Sequence, residues 1–319
     1  MADASKIVLF GNRVTTKSIY SFLLENKHEV HTLVNLDKQH KATSSVSGYL
    51  DLEYLVAGSA CKIYRPQRYD LCCETDFEFF SELKPDLGLV MGWNRLIPSS
   101  ILDVFRCGVF GMHGSSEPLP RGRGRSPINW SIIEGRKVFA TNLFRYLPGV
   151  DDGDIVETQK FEINDFDDCS TLHLKNVIAM ETILEKNIRL ILDGKAQFNP
   201  QSQNIEPTFY PQRTADDGRI NWSIATVQYL VRHIKAQTHP FPGAHCFLNN
   251  QKVYFWDAQP FDQILEFGSQ EAGCCVRMFD SHRFIIRVWD GYVLINKWSI
   301  GAPVTNKGRI PFSAGVCFT

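Results

Sequence analysis

The residues best suited to chemistry lie in two stretches, His113-Gly-Ser-Ser-Glu-Pro-Leu-Pro-Arg-Gly-Arg-Gly-Arg-Ser-Pro127 and, a short way downstream, Val150-Asp-Asp-Gly-Asp-Ile-Val156. The first sets one histidine beside a loop rich in glycine and arginine. The second supplies an acidic turn able to meet it in space. A histidine oriented by a carboxylate is equipped to move a proton while a carbonyl is attacked. Taken singly, a histidine after an apolar strand is most often structural, and Asp151-Asp152 before glycine is a turn former. The order of histidine, loop and acidic turn favours the chemical reading for His113, whereas Asp151 by itself remains a turn former.

These residues need a scaffold that brings them together. Lys6–Phe10, His28–Val34, a run near 61–64, Asp86–Met91 and Gly108–Met112 read as buried strands. The periodicity predicts helices near 15–26 and 98–106, and a long one over Ser170–Asp193 that stops at Gly194. Strands alternating with helices imply βαβ units and a Rossmann-like, mostly parallel sheet. In such a sheet ligands bind beyond the carboxyl ends of the strands. His113 follows the strand at 108–112, Asn94 follows 86–91, and Asp151 follows the strand-like Ala140–Tyr146. All three are predicted to converge on one crevice. Gly11-Asn-Arg-Val-Thr-Thr is not a GxGxxG fingerprint, so no dinucleotide site is expected.

The composition changes over 195–212, where Gln, Asn, Pro and Ser suggest a crossing linker. Beyond a helix near 224–236, Lys252–Trp256, Cys274–Met278, Phe284–Val288 and Tyr292–Asn296 are short strands separated by turns. That spacing predicts a small OB-like β-barrel. The expected division is a catalytic domain over 1–200 and a C-terminal OB-like subdomain with its linker over 201–319. A net charge of −1 gives no global attraction for nucleic acid or an anionic membrane. Nine cysteines, two vicinal pairs among them and no CxxC, argue against a disulfide framework or a zinc site. Reduced thiols, the vicinal ones packed as small apolar residues in strands, are expected instead. With no signal-like or membrane-spanning run, the sequence predicts a cytoplasmic protein without a metal. The exposed sheet edges of a small C-terminal barrel would suit a homodimer.

At this point the chain resembles the formyltransferases that use N10-formyltetrahydrofolate. Their hallmark is an Asn-x-His-x-Ser strand end, then Leu-Pro-x-x-Arg-Gly-x-x-Pro, then an Asp-x-Gly-Asp-Ile turn. Here these stand as Gly111-Met-His113-Gly-Ser115, Leu119-Pro-Arg-Gly-Arg-Gly-Arg-Ser-Pro127 and Asp151-Asp-Gly-Asp-Ile155. Tyr210–Trp222 and His239–Ala244 extend the likeness, which covers roughly residues 86–300. It implies formyl transfer to an amine through a tetrahedral oxyanion. It makes His113 the residue that takes a proton or polarises the oxyanion, and Asp151 the group that orients it. It lays the pterin of the folate along Trp93, Arg95, Leu96 and Pro98, and against the turn at Val150–Asp154. The family's asparagine two residues before the histidine is here Gly111, so an oxyanion donor is missing, and either another group replaces it or transfer is impaired; Asn94 is the candidate substitute and Ser115 a weaker one. Ser116 and Glu117 lengthen the loop after His113 relative to the family.

From Ile205 onward 11 Lys/Arg face 9 Asp/Glu, little basic excess for gripping transfer RNA. A nucleotide-linked aminosugar needs only a few cations, and Arg13, Lys17, Arg121, Arg123 and Arg125 would supply them, with Ser115 also lining the pocket. The favoured reading is therefore a sugar-nucleotide N-formyltransferase acting without nucleic acid or membrane. The alternatives are a 10-formyltetrahydrofolate hydrolase, which Gly111 brings to mind, a methionyl-tRNA formyltransferase, and a non-catalytic folate or nucleotide binder. The sugar, the position of its amine and its nucleotide are not legible.

Overall fold

The computed structural model describes residues 5–46, 48–268, 270–279, 282–301 and 312–319. The chain opens with β1 (Ile7–Phe10), α1 (Val14–Glu25), β2 (Val30–Val34), α2 (Glu53–Val56) and β3 (Lys62–Tyr64). It continues through α3 (Glu74–Leu83), β4 (Leu87–Val90), α4 (Ser99–Leu102) and β5 (Val109–Ser115). Then come β6 (Arg123–Gly124), α5 (Pro127–Ile133), β7 (Val138–Arg145), β8 (Ile155–Glu162) and α6 (Cys169–Leu192). The remainder comprises β9 (Phe209–Tyr210), α7 (Val227–Gln237) and β10 (Ala244–Leu248), followed by β11 (Gln251–Asp262), β12 (Cys275–Met278), β13 (Phe284–Val288) and β14 (Gly291–Ile300).

Two compact units result. The first gathers residues 1–124, 138–162 and 174–210; the second gathers 125–137, 163–173 and 211–319. In the first, seven strands run in the order β3-β2-β1-β4-β5-β7-β8. The pairs from β3 to β5 are parallel, whereas β7 and β8 join antiparallel. All four residues of β1 and of β4 are buried, as central strands covered on both faces must be. Ile7 and Leu9 pack with Ile19 and Leu23 of α1 and with Ile183 and Leu184 of α6 on one face. Val8 and Phe10 pack with Phe80, Trp93, Phe105 and Val109 on the other.

The mostly parallel sheet follows the sequence reading, and the differences are local. The helix expected at 98–106 contracts to α4, after which the chain turns through Asp103–Cys107. β8 has no apolar run to announce it, because it is an edge strand whose side chains are largely half-exposed. Cys72 and Cys73 lie ahead of α3 rather than within a strand, Cys73 standing at the helix N-cap.

In the second unit five antiparallel strands run in the order β10-β11-β14-β13-β12. α7 starts where the Thr226 hydroxyl accepts from the Tyr229 N–H at 3.1 Å and Asp290 accepts from the Val227 N–H at 2.7 Å. Its Leu230 and Ile234 pack on Phe255, Ile286 and Val293 of the sheet. The last residues tie both sheet edges. Thr319 exchanges backbone hydrogen bonds with Phe247 of β10, while Gly315 and Val316 bond Cys275 of β12. The edges from which a dimer was expected are thus partly taken up within the chain.

Cys274 and Cys317 form a disulfide, which corrects the expectation of reduced thiols throughout. They are antiparallel bridge partners, brought opposite each other by the pairing of the terminal segment, and a sequence separation of 43 gave no hint of that. Cys317→Ser is expected to cost the oxidised protein about 2–4 kcal/mol. Thermal melts check this: dithiothreitol should lower the wild-type melting temperature and leave the variant's unchanged.

Candidate active site

β5 carries Gly111 and His113 on the same sheet face, two residues apart. The backbone beneath the histidine is fixed from the neighbouring strand. Asn142, its register partner on β7, donates Nδ2–H to the His113 carbonyl at 3.2 Å, and Thr158 of β8 donates to Asn142 Oδ1 at 2.7 Å. The imidazole is only 6% exposed, so its polar atoms must find partners within the protein.

Both ring nitrogens do. Nδ1 lies 3.3 Å from Asp151 Oδ2, and Nε2 lies 2.8 Å from the Gly122 carbonyl oxygen. Each partner accepts. A neutral imidazole has one N–H and serves only one of them, whereas the protonated ring serves both. Gly122 reaches this position with φ +71, and a Cβ there would fall 1.9 Å from the Ser115 hydroxyl. Only glycine lets this carbonyl approach. Asp151 is itself left-handed at φ 50, a conformation that aspartate tolerates better than most residues. Its Oδ2 also accepts the Gly124 N–H at 3.1 Å, so one oxygen binds both the ring and the glycine-rich loop.

The two segments that grip His113 are locked together by Gln201. Its Nε2 donates to the carbonyls of Asp151 and Gly153 at 2.8 and 2.9 Å, and its Oε1 accepts from Arg123 at 2.7 Å. Thr208 adds a further tie, accepting the Gly122 N–H at 2.9 Å. β6 then pairs with β9. Residues 195–212, expected to be a linker, therefore brace the site. An amide seven residues past the helix stop carries no sequence signal of such a role.

His113 and Asp151 are brought together as expected. Asn94 is half-buried in the loop after β4, where its backbone N–H donates to the Tyr69 hydroxyl at 3.0 Å; no hydrogen bond joins it to His113 or Asp151 among the described residues. Trp93 is buried, its ring edge-on to Tyr69 and Phe10, while Arg95 and Leu96 are exposed. The Arg95 guanidinium sits 5.0 Å over the Tyr69 ring. Pro98 lines a surface cavity of about 400 Å³ with Leu71, Cys72, Cys73 and Phe77. Val150 is exposed, and the Asp154 carbonyl accepts from the Arg145 N–H. Among the expected cations, Arg13 flanks Gly92 at the start of α1, Lys17 lies 5.8 Å over the Tyr54 ring, and Arg121 is exposed. Arg123 is committed to Gln201, and Arg125 groups with the second compact unit. Ser115 is fully buried and accepts the Glu117 N–H, bracing the loop from below. Tyr146, which the sequence did not single out, has its hydroxyl pKa raised by burial, then by the charges of Asp151 and Tyr69. Among the described residues no three His, Cys, Asp or Glu side chains gather as metal ligands, and no helix is long and apolar enough to cross a membrane.

A formyl transferase family model matches residues 6–184, more than half the chain, and a formyl transferase C-terminal domain model matches 213–304. The chain belongs to the formyl transferase family. Solved structures similar to this family member share its fold at low identity. An N-formyltransferase from Helicobacter canadensis, in complex with folinic acid and dTDP-3-aminofucose, is 18% identical over 92% of this chain and 100% of that one, at a TM-score of 0.65. HypX from Aquifex aeolicus in complex with tetrahydrofolic acid is 20% identical over 93% of this chain, at a TM-score of 0.64, and this chain spans 44% of its length. A methionyl-tRNA formyltransferase from Clostridium thermocellum is 16% identical over 90% of this chain and 100% of that one, at 0.55.

Gln201→Ala removes three hydrogen bonds from the turn and loop and is expected to cost about 1–3 kcal/mol. Hydrogen exchange checks where that loss falls: the Gly124 amide, whose acceptor is Asp151, should exchange faster, and the amides of β1 should not.

Proposed function

We propose that this protein transfers the formyl group of N10-formyltetrahydrofolate to the amine of a nucleotide-linked aminosugar. The observation that carries the reading is the imidazole of His113 held between the Asp151 carboxylate and the Gly122 carbonyl at the carboxyl end of a parallel strand. His113 moves the proton that the attacking amine must lose, its Nε2 exchanging the Gly122 carbonyl for the reacting atoms. Asp151 orients the ring through Nδ1 and stabilises it while protonated. The folate lies along the exposed residues Arg95 and Leu96, using their backbone groups, and against the turn at Val150–Asp154. Arg13, Lys17 and Arg121 are the cations offered to the diphosphate.

The sugar-nucleotide acceptor is supported by the full-length likeness to an N-formyltransferase bound to dTDP-3-aminofucose, and by the near-neutral charge of the chain. The domain reading of 1–200 and 201–319 is kept as part of this proposal, with the C-terminal sheet and its terminal segment forming an OB-like barrel.

The test is a spectrophotometric assay of N10-formyltetrahydrofolate consumption against a panel of aminosugar nucleotides, with a control lacking acceptor. Turnover with one acceptor is expected, with Asp151→Asn and His113→Ala each slowed by about 100-fold or more. Equal consumption without acceptor would replace the transferase with a hydrolase. A steep salt dependence with transfer RNA as the acceptor would move the reading to that branch.

A further inference from the structure

Formyl transfer passes through a tetrahedral oxyanion, and with Nδ1 on Asp151 and Nε2 given to the proton of the amine, His113 has no donor left for it. We propose that the Tyr146 hydroxyl is the oxyanion donor of this enzyme, placed there because position 111 has no side chain. A Cβ built on Gly111 would fall 2.4 and 2.6 Å from Cε2 and Cδ2 of Tyr146. The tyrosine ring therefore occupies the volume that a side chain at 111 would fill. Residues two apart on a strand are separated by about 6.5 Å. The tyrosine ring leans across Gly111, and its hydroxyl feels the charge of Asp151, the carboxylate that lies 3.3 Å from His113 Nδ1.

The geometry is fixed at its base. Tyr146 follows β7 directly, and its N–H donates to the Val109 carbonyl at 2.8 Å, which keeps it on the sheet face of Gly111 and His113. Its ring lies alongside Phe144, the register partner of Gly111, with centroids 5.7 Å apart. Among the described residues its hydroxyl makes no hydrogen bond, although it feels the charge of Asp151. Burial and that charge keep the phenol protonated, so the O–H remains a donor. Asn94 has no comparable relation to position 111.

In the step itself the amine nitrogen attacks the formyl carbon, and the carbon–oxygen π pair moves onto oxygen. Tyr146 donates a hydrogen bond to that oxygen and keeps its proton. The pair returns as the bond from carbon to N10 breaks, N10 leaving with those electrons. His113 carries the proton lost by the amine to N10.

This inference rests on the formyl-transfer reading, and one comparison separates the two. Formyl-tetrahydrofolate consumption is measured for the wild type and Tyr146→Phe, with the aminosugar-nucleotide panel and with water alone, since both reactions form the oxyanion. Phenylalanine keeps the ring over Gly111, so melting temperature and the KM for folate should hold while kcat falls about 100- to 1,000-fold. A Tyr146→Phe enzyme within about threefold of the wild-type kcat would overturn the donor and leave the transferase standing. A wild type active only with water would overturn the aminosugar acceptor, and the same kcat ratio in water would still decide the donor. No consumption by the wild type under either condition would overturn both.

Discussion

The site depends on one buried imidazole facing hydrogen-bond acceptors on both sides. A ring this deeply enclosed has no water to rescue an unpaired nitrogen, so the Asp151 carboxylate and the Gly122 carbonyl fix its orientation together. Each acceptor in turn requires an unusual backbone. Gly122 needs the left-handed region and a missing Cβ, and Asp151 is left-handed at the head of its turn. Neither conformation is held by a regular element. Both are held by polar ties from Gln201, Thr208 and the Gly124 amide, which makes a short stretch of irregular chain as decisive as the sheet beneath it.

The sheet contributes something different, a floor paired on both sides of β5. β5 is parallel to β4 on one side and antiparallel to β7 on the other, so His113 stands where a parallel strand ends while its antiparallel neighbour still supports it. Asn142 and Thr158 extend that support across three strands. The chemistry thus sits on a hydrogen-bonded sheet, with the loop and turn tied together above it.

Much of this was legible in the sequence. Four-residue apolar runs such as Ile7–Phe10 announce central parallel strands, and the ordered His113, glycine-loop and Asp151 motifs point to one crevice. What was hidden follows a physical rule. β8 is an edge strand without an apolar signature, and α4 is shorter than its apolar spacing suggests. Gln201 holds the turn through backbone carbonyls, which no residue type announces, and it lies in a segment whose composition reads as a linker. The disulfide depends on where a terminal segment pairs, a long-range fact that cysteine spacing does not contain. Arg123 has the right charge for a phosphate, and in the fold its guanidinium also donates to Gln201, a tie that charge alone does not announce.

The packing of Tyr146 on Gly111 also constrains how this chain can change over time. A side chain introduced at 111 meets the aromatic ring, and a small residue at 146 leaves the strand surface bare, so neither position can drift toward another pattern by itself. Substitutions at the two positions are expected to be non-additive, as for any pair in direct contact. Position 111 is therefore read together with 146, since the side chain that one lacks is the space that the ring of the other fills.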